Sequence, residues 1–352
     1  MPAMRTTRLL RRSRVLIVGC GDVGLRVARL LARRAAQTRV IALTSRPERA
    51  PLLRAAGVTP IVGDLDVARS LRRLTGLAPT VLHLAPPPPD GDTDPRTRAL
   101  IAALTVPGKL RAARGAVASA GRLRRAAASA GRQSAMRPAD GRQTSIVPDG
   151  ALAPRRIRLV YASTTGVYGD CGGALIDETR PVRPVNPRAK RRVDAERTLR
   201  RATARAAVAA SIVRIPGIYA AERLPLVRIE RHMPALVDAD DVYTNHIHAD
   251  DLAAILLRTL VRGACSRVFH ASDDSELKMG EYFDRVADAC GLARVPRISR
   301  REAEHRLESV TLSFMSESRR LENRRLTREL RVKLRYPSVD DFLATVRVDR
   351  RQ

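Results

Sequence analysis

Apolar residues near the start of the chain follow first the period of a buried strand and then the period of a helix. The run Arg14-Val-Leu-Ile-Val-Gly19 is uninterrupted by polar residues between its ends, which is typical of a parallel strand covered on both faces. One apolar stripe follows at helical spacing, formed by Val23, Val27, Leu30 and Leu31. The pattern therefore predicts a β-strand that starts near Val15 and leads directly into an α-helix.

The alternation of strands and helices continues along the chain. Further strands are predicted at Arg39–Leu43, Thr59–Val62, Thr80–Leu84, Arg158–Ala162 and Ser211–Ile215. Such alternation favours the α/β class, with a doubly wound parallel sheet and helices on both of its faces. From about Pro216 onwards, helices mix with short strands, which predicts a smaller mixed α/β lobe over residues 216–352.

Two segments fall outside this pattern. Residues 1–14 form a basic tail, and residues 106–154 consist mainly of Ala, Arg, Gly and Ser, with the sequence Ala-Ser-Ala-Gly-Arg occurring twice. The second segment has too few large apolar side chains to offset the entropy lost on ordering. We expect a flexible or partly helical surface insertion within a domain that spans residues 15–215. A docking arm or an RNA-contacting arm is the alternative interpretation.

The strongly basic composition changes this picture only slightly. The formal net charge is +29, which is typical of proteins that bind nucleic acid or anionic membranes. However, only four of the 65 basic residues are lysines, an imbalance that GC-rich coding produces by itself, and aromatic residues for base stacking make up only 3%. Nucleic acid is therefore not the expected partner, although the Arg-rich insertion keeps that alternative open.

The sequence predicts neither a membrane-spanning segment nor a metal site. No apolar run approaches the roughly 18–20 residues that a bilayer span needs. The four cysteines lie far apart, and His246 and His248 have no evident third ligand, so no metal site is expected. Arg11-Arg12 before Val15–Val18 resembles an export signal, but that apolar stretch is too short for one. A reduced, cytoplasmic protein is predicted.

The turn after the first strand has the spacing of a dinucleotide-binding motif. Gly19-Cys-Gly-Asp-Val-Gly24 matches G-x-G-x-x-G between a strand and a helix, as in a Rossmann-type sheet. The first glycine permits the tight turn, the second lets the backbone approach a pyrophosphate, and the third allows close packing of helix and strand. The helix N-terminus adds N–H donors. The motif predicts NAD or NADP binding at Gly19, Gly21, Asp22, Val23 and Gly24.

The end of the second predicted strand indicates which dinucleotide is bound. NAD-selective folds usually carry Asp or Glu here, to bind the ribose 2′-hydroxyl. This chain has Thr44-Ser-Arg46 instead. Arg46 can form charge-assisted hydrogen bonds with a 2′-phosphate, aided by the hydroxyl of Ser45. NADP(H) is therefore favoured over NAD(H) as the cofactor.

Taken together, the motifs resemble the extended short-chain dehydrogenase/reductase family, which includes NAD-dependent epimerases and dehydratases. The similarity covers most of the chain except the insertion, in the segments Gly63–Leu65, Val81–Pro86, Tyr161–Gly169, Asp177–Thr179, Arg214–Tyr219, Asn245–Leu252 and Arg335–Pro337. It implies further cofactor contacts at Asp64, Leu65, Leu84, Ala85, Pro86 and Pro216. It also implies that Thr164, with Ser163 beside it, contacts the substrate, unless these hydroxyls only close the strand end.

The family's catalytic Tyr-x-x-x-Lys pair has no equivalent in this chain. None of the six tyrosines has a lysine four residues later. Alignment of residues 186–196 with the family helix puts Arg188 at the tyrosine position and Arg192 at the lysine position. Arg192 could supply positive charge near the cofactor. Arg188 cannot act as a general base, because an arginine side chain stays protonated in proteins.

These features lead to one main functional hypothesis and two alternatives. The resemblance implies an NAD(P)-binding, epimerase- or dehydratase-like oxidoreductase that acts on a small hydroxylated or nucleotide-linked substrate. A homodimer is a candidate assembly. The first alternative, motivated by the missing Tyr and Lys, is a non-catalytic dinucleotide-binding sensor or scaffold. The second is a nucleic-acid-associated protein that uses the Arg-rich insertion.

Overall fold

The computed structural model describes residues 13–34, 37–105 and 156–349. Its strands in chain order are β1 (Arg14–Val18), β2 (Arg39–Thr44), β3 (Thr59–Val62), β4 (Thr80–His83), β5 (Ile157–Thr164), β6 (Leu175–Ile176), β7 (Val208–Ile215), β8 (Gly217–Tyr219), β9 (Ala235–Leu236), β10 (Tyr243–Thr244), β11 (His246–His248), β12 (Val268–His270), β13 (Leu277–Lys278), β14 (Arg297–Ile298) and β15 (Arg320–Leu321). Its α-helices are α1 (Asp22–Arg34), α2 (Ala50–Ala55), α3 (Pro95–Thr105), α4 (Pro187–Ala204), α5 (Leu226–Glu230), α6 (Ala249–Arg262), α7 (Met279–Cys290), α8 (Arg300–Arg306), α9 (Ser309–Phe314), α10 (Arg324–Arg328) and α11 (Val339–Asp349).

Seven of these strands form one parallel sheet in the order β3-β2-β1-β4-β5-β7-β12. The six strands predicted from the sequence are all present, and β12 adds a seventh beside β7. The order of the first six is that of a doubly wound dinucleotide-binding sheet, in which the connections reverse direction between β1 and β4. The predicted α/β fold class is therefore confirmed.

Helices cover both faces of the sheet, as the apolar strands require. Within β1, Val15 and Ile17 belong to the core on one face, while Leu16 and Val18 belong to the core on the other. Helices α1 and α6 pack on the first face, and α3, α4 and a 3₁₀ helix at Ala68–Leu74 pack on the second. Each residue of β1 after Arg14 is thus buried, whichever face of the sheet it occupies.

A smaller lobe of helices and short strands has an apolar core of its own. Its core side chains come mainly from α5, α7 and α11, with Phe283 and Phe342 among the largest. Two-residue strands pair beside it, β9 with β14 in parallel and β10 with β13 antiparallel. The expected smaller mixed α/β lobe is therefore present, and its role in substrate binding stays a prediction.

The chain returns to the large sheet after entering the smaller lobe. Both α6 and β12 come from beyond residue 216, yet they pack on or extend the sheet. The boundary between domains at residues 215 and 216 stays a prediction. The predicted insertion, 106–154, lies outside the described residues, as does most of the predicted tail, 1–14, although Arg14 begins β1. Across the described ranges, no helix combines the length and the apolar character that crossing a bilayer requires.

Candidate functional site: a cleft at the sheet edge and a polar site at the end of β5

A cleft of about 510 Å³ opens beyond the carboxyl ends of β1 to β4. This is where the connections of the sheet change direction, which is the place where doubly wound folds bind their ligands. The residues lining the cleft are Val18, Gly19, Cys20, Gly21, Leu43, Thr44, Ser45, Arg46, Arg49, Gly63, Asp64, Leu65, Asp66, Leu84, Ala85, Pro86 and Arg96. Most of the cofactor residues predicted from the sequence are thus brought together on one surface.

The three glycines of the turn have different steric surroundings. Gly19 has a φ of +83°, and a Cβ there would lie 2.5 Å from the backbone nitrogen of Ala85. A Cβ on Gly24 would press on Sγ of Cys20 at 3.2 Å and on Ile17 at 3.4 Å. By contrast, a Cβ on Gly21 would have no neighbour within 4 Å. Gly19 and Gly24 therefore allow close packing within the protein, whereas Gly21 leaves open space at the cleft.

Two arginines stand at the end of β2, where the sequence predicted one. Arg46 and Ser45 are exposed, and both line the cleft as expected. Thr44 fixes the turn, because its hydroxyl accepts a hydrogen bond from the backbone N–H of Arg46 at 3.2 Å. Arg49 ends the 3₁₀ helix Pro47–Arg49 and lines the same cleft. Its spacing of three residues from Arg46, one turn of such a helix, was the signal in the sequence that could have identified it.

An ion pair that sequence reasoning missed borders the other side of the cleft. Arg96 donates to both carboxylate oxygens of Asp66, at 2.8 and 2.6 Å, and to the backbone oxygen of Pro86 at 3.2 Å. Arg96 also holds the pKa of Asp66 below its usual value. The predicted contact residue Asp64 is fixed nearby, because its backbone N–H donates to the hydroxyl of Ser70 at 2.9 Å. This border connects the ends of β3 and β4 through α3.

Four of the predicted cofactor residues do not line the cleft, namely Asp22, Val23, Gly24 and Pro216. The carboxylate of Asp22 instead accepts hydrogen bonds from Nε of Arg26 at 3.0 Å and from Nε of Arg223 at 3.2 Å. Val23 packs against the apolar core, and Pro216 directly follows β7. Their contact with a cofactor stays a prediction.

Thr164 and Glu317 face the same small space at the end of β5. Thr164 is half-buried, and its hydroxyl accepts a hydrogen bond from the N–H of Gly166 at 3.4 Å. A Cβ placed on Gly166 would lie 3.8 Å from Oγ1 of Thr164 and 3.9 Å from Oε2 of Glu317. Glu317 was not predicted, since it comes from a distant C-terminal segment without a recognisable motif. The arrangement brings a hydroxyl and a carboxylate together at one position.

Ser163 points away from this space into a buried polar network. Its hydroxyl donates to Oε1 of Glu196 at 2.7 Å, and Glu196 also accepts two hydrogen bonds from Arg214, at 3.1 and 2.7 Å. Arg214 donates in turn to the hydroxyl of Tyr168 at 2.7 Å, and that hydroxyl lies 2.5 Å from Nε2 of His270. Burial raises the pKa of Tyr168 to about 12. The network joins α4 to β5, β7 and β12. The hydroxyl of Ser163 is therefore engaged within the protein core, by Glu196.

The two arginines of α4 that align with the missing catalytic pair have different surroundings. Arg192 donates to the hydroxyl of Tyr161 at 3.1 Å and to the backbone oxygen of Ala162 at 2.6 Å, so it holds α4 against β5. Burial nevertheless raises the pKa of Tyr161 to about 12. Partial burial lowers the pKa of Arg188, although the neighbouring carboxylate of Glu317 opposes this shift. Arg188 is therefore electrostatically coupled to Glu317.

The two histidines of β11 make contacts with other side chains and with the backbone of the protein. His246 is buried and stacked on Tyr282, with 4.2 Å between ring centroids, and burial lowers its pKa to about 4. His248 accepts a hydrogen bond at Nδ1 from the N–H of Asp250 at 3.2 Å, at the start of α6. Within the part of the chain that the structure describes, no group of three or more His, Cys, Asp or Glu side chains could hold a metal ion.

Several solved protein structures have a fold similar to that of this chain. A conserved protein of unknown function from Silicibacter pomeroyi is 24% identical, with a TM-score of 0.69 over 97% of this chain and 100% of that one. A dTDP-glucose 4,6-dehydratase from Streptomyces venezuelae, solved with NAD bound, is 20% identical, with a TM-score of 0.65 over 96% and 97%. A UDP-N-acetylglucosamine 4-epimerase from Bacillus cereus is 13% identical, with a TM-score of 0.61 over 97% and 100%. No curated protein matches the sequence.

A family model covers the part of the chain that contains the large sheet. The model of the NAD dependent epimerase/dehydratase family matches residues 15–270, from β1 to the end of β12. This range includes the glycine turn, the cleft and the end of β5. The resemblance expected from the sequence is confirmed, and a nicotinamide dinucleotide is supported as the cofactor. The chain belongs to the NAD dependent epimerase/dehydratase family.

Proposed function

We propose that this protein is an NADP(H)-preferring oxidoreductase of the epimerase or dehydratase type, which acts on a small hydroxylated or nucleotide-linked substrate. The observation that carries the proposal is the cleft, which combines a glycine turn, two arginines at the end of β2 and an apolar border at β4. The sugar-nucleotide enzymes of similar fold make a nucleotide-linked sugar the first substrate class to test.

The steric environment of Gly21 fits a dinucleotide. The space that a Cβ would occupy there is open, so the backbone of the turn can be approached closely from the cleft. In a bound complex, Gly19 and Gly21 would hold the pyrophosphate, Asp64 and Leu65 would contact the adenine, and Leu84, Ala85 and Pro86 would extend along the cofactor. The nicotinamide supplies the capacity to accept or return hydride.

The preference for NADP(H) rests on charge at the end of β2. Arg46 and Arg49 both line the cleft there, and neither of the residues between Leu43 and Arg46 is acidic. A 2′-phosphate carries negative charge that two guanidinium groups can neutralise through charge-assisted hydrogen bonds. Arg49 strengthens the interpretation, because a single arginine in an Arg-rich chain carries little information.

Titration with NADPH and NADH, followed by calorimetry, tests the cofactor proposal. Arg46→Asp should weaken NADPH binding by about tenfold or more, since it removes a charged hydrogen-bond donor and adds repulsion, while NADH binding changes little. Arg54→Asp is the matched control, because it makes the same change of charge at an exposed position on α2 outside the cleft. Equal losses for both cofactors would contradict the preference.

A non-catalytic dinucleotide-binding protein is the second candidate function. It is favoured by Arg188 at the position of the family's tyrosine, and by Arg192, whose guanidinium is engaged by Tyr161 and Ala162. An assay for cofactor-dependent conversion of a sugar nucleotide distinguishes the two candidate functions. Conversion would exclude the sensor or scaffold. The nucleic-acid alternative depends on the insertion at 106–154, which lies outside the described residues, and it stays a prediction.

A further inference from the structure

The carboxylate of Glu317 is held firmly at the end of β5 by two polar side chains. Its Oε1 accepts a hydrogen bond from Nδ2 of Asn186 at 3.2 Å, and its Oε2 accepts one from Nη1 of Arg319 at 3.0 Å. Only 12% of the side chain is exposed. An ionised carboxylate offers about four acceptor positions, so these two bonds leave capacity for a further donor.

The segment that carries Glu317 is fixed by the neighbouring loop, residues 170–173. The N–H of Ser318 donates to Oδ1 of Asp170 at 2.8 Å, and its carbonyl accepts from the N–H groups of Cys171 and Gly173, both at 3.0 Å. The hydroxyl of Ser318 also accepts from the N–H of Tyr243 at 3.0 Å. The backbone next to Glu317 is therefore held by interactions that do not involve the side chain of Glu317.

The space in front of Glu317 is bordered by the hydroxyl expected to bind substrate. Oε2 of Glu317 and Oγ1 of Thr164 both lie within 4 Å of the point where a Cβ of Gly166 would be. The absence of a side chain on Gly166 keeps this point open. A substrate oxygen that enters here would approach a hydroxyl and a carboxylate at once.

Two positively charged side chains lie beside the carboxylate of Glu317. Arg188 is the positive group coupled to Glu317 from the first turn of α4, and Arg319 is bonded to it directly. Arg188 occupies the aligned position of the family's tyrosine, but it cannot accept a proton. The acid/base group that the helix lacks can thus be supplied from the C-terminal segment.

We propose that Glu317 is a catalytic residue that exchanges a proton with the substrate hydroxyl in front of Gly166, while Thr164 orients the same oxygen. This role rests on the proposed function. In the oxidative direction, the O–H bond of the hydroxyl would break as an O–H bond to Glu317 forms, and the electron pair left on oxygen would form the C=O bond. A bound nicotinamide would supply the acceptor for the hydride that leaves the adjacent carbon. The reductive direction returns the proton and the hydride to the carbonyl.

The test compares Glu317→Gln and Glu317→Ala with wild type, with dTDP-glucose and UDP-N-acetylglucosamine as probes. General acid/base catalysis contributes about 10²–10⁴-fold, so Glu317→Gln should lower turnover at least about 100-fold with unchanged NADPH affinity and thermal stability. Calorimetry without cofactor should show about tenfold weaker probe binding, because a charged hydrogen bond is lost. Formate should partly restore turnover in Glu317→Ala, which a merely structural carboxylate would not explain.

Glu322→Gln is the matched control, because Glu322 lies in the same segment but pairs with Arg324 at the surface. It should keep wild-type turnover. Wild-type turnover in Glu317→Gln would overturn the role of Glu317 and leave the proposed function intact. If NADPH does not bind to the wild type, or neither probe binds or reacts, the proposed function fails, and the role of Glu317 falls with it.

Discussion

The cofactor cleft and the polar site at the end of β5 are built in different ways. The cleft is made largely by backbone turns that follow consecutive strands, and Gly19, Gly21 and Ala85 border it directly. The polar site is made by side chains from distant segments, with Glu317 lying 131 residues from its partner Asn186. A turn needs only a local pattern, whereas the polar site needs the whole fold before its groups meet.

This difference explains why the cleft agrees with the family pattern while the polar site departs from it. The turn needs a glycine at position 19, because the φ there is positive and a Cβ would overlap the backbone of Ala85. A carboxylate or a phenol can be supplied from any segment that reaches the same point. The two regions should therefore respond differently to mutation.

The largest effect is expected in the buried network behind the polar site. Glu196→Gln would leave the guanidinium of Arg214 buried without its counter-ion, because each side chain of the pair is only 4% exposed. Removal of one partner of such a pair costs about 3–5 kcal/mol. Denaturant unfolding would measure the loss. The surface pair Arg306–Glu302 provides the control, and Glu302→Gln should cost less than about 1 kcal/mol. Similar losses in both variants would show that the network does not support this region.

A pair of glycine substitutions separates the fold of the cleft from its binding surface. Gly19→Ala should destabilise the protein by about 2–4 kcal/mol, since a Cβ would overlap the backbone of Ala85 at a positive φ. Gly21→Ala should leave the unfolding midpoint nearly unchanged but weaken NADPH binding, because its Cβ would stand in the open space of the turn. Thermal unfolding and NADPH titration of the two variants check this. Equal loss of stability in both would contradict the assignment.

The smallest effect is expected at the hydroxyl of Thr164. Thr164→Val should lower turnover about ten- to a hundredfold, while NADPH affinity stays the same. This loss corresponds to the free energy of one hydrogen bond to a group that is charged or becomes charged in the transition state. Steady-state kinetics with the reactive sugar nucleotide would measure it. Thr327→Val, on the exposed face of α10, should leave turnover unchanged. Unchanged turnover in Thr164→Val would remove Thr164 from the catalytic site.

The sequence predicted most of the cleft because each part of it is local. The glycine turn follows an apolar strand directly, so Gly19 and Gly21 could be placed without knowledge of the fold. Arg49 was missed although its spacing from Arg46 was visible. Arg96 and Asp66 were missed because their ion pair joins two separate connections of the sheet. Glu317 could not be found in this way, since long-range contacts, among them the pairing of β15 with β6, bring its segment to the loop after β5.

The late position of β12 in the chain has a consequence for biosynthesis. The outer neighbour of β7 is β12, in which Val268, Phe269 and His270 pair with residues 212–214. Because β12 lies about 50 residues later in the chain, β7 is synthesised well before it. Until then β7 is an edge strand with free N–H and C=O groups and apolar side chains on both faces, a template for pairing with another chain. A truncated gene product that ends after β7 should therefore aggregate rather than accumulate as a small, folded nucleotide-binding unit.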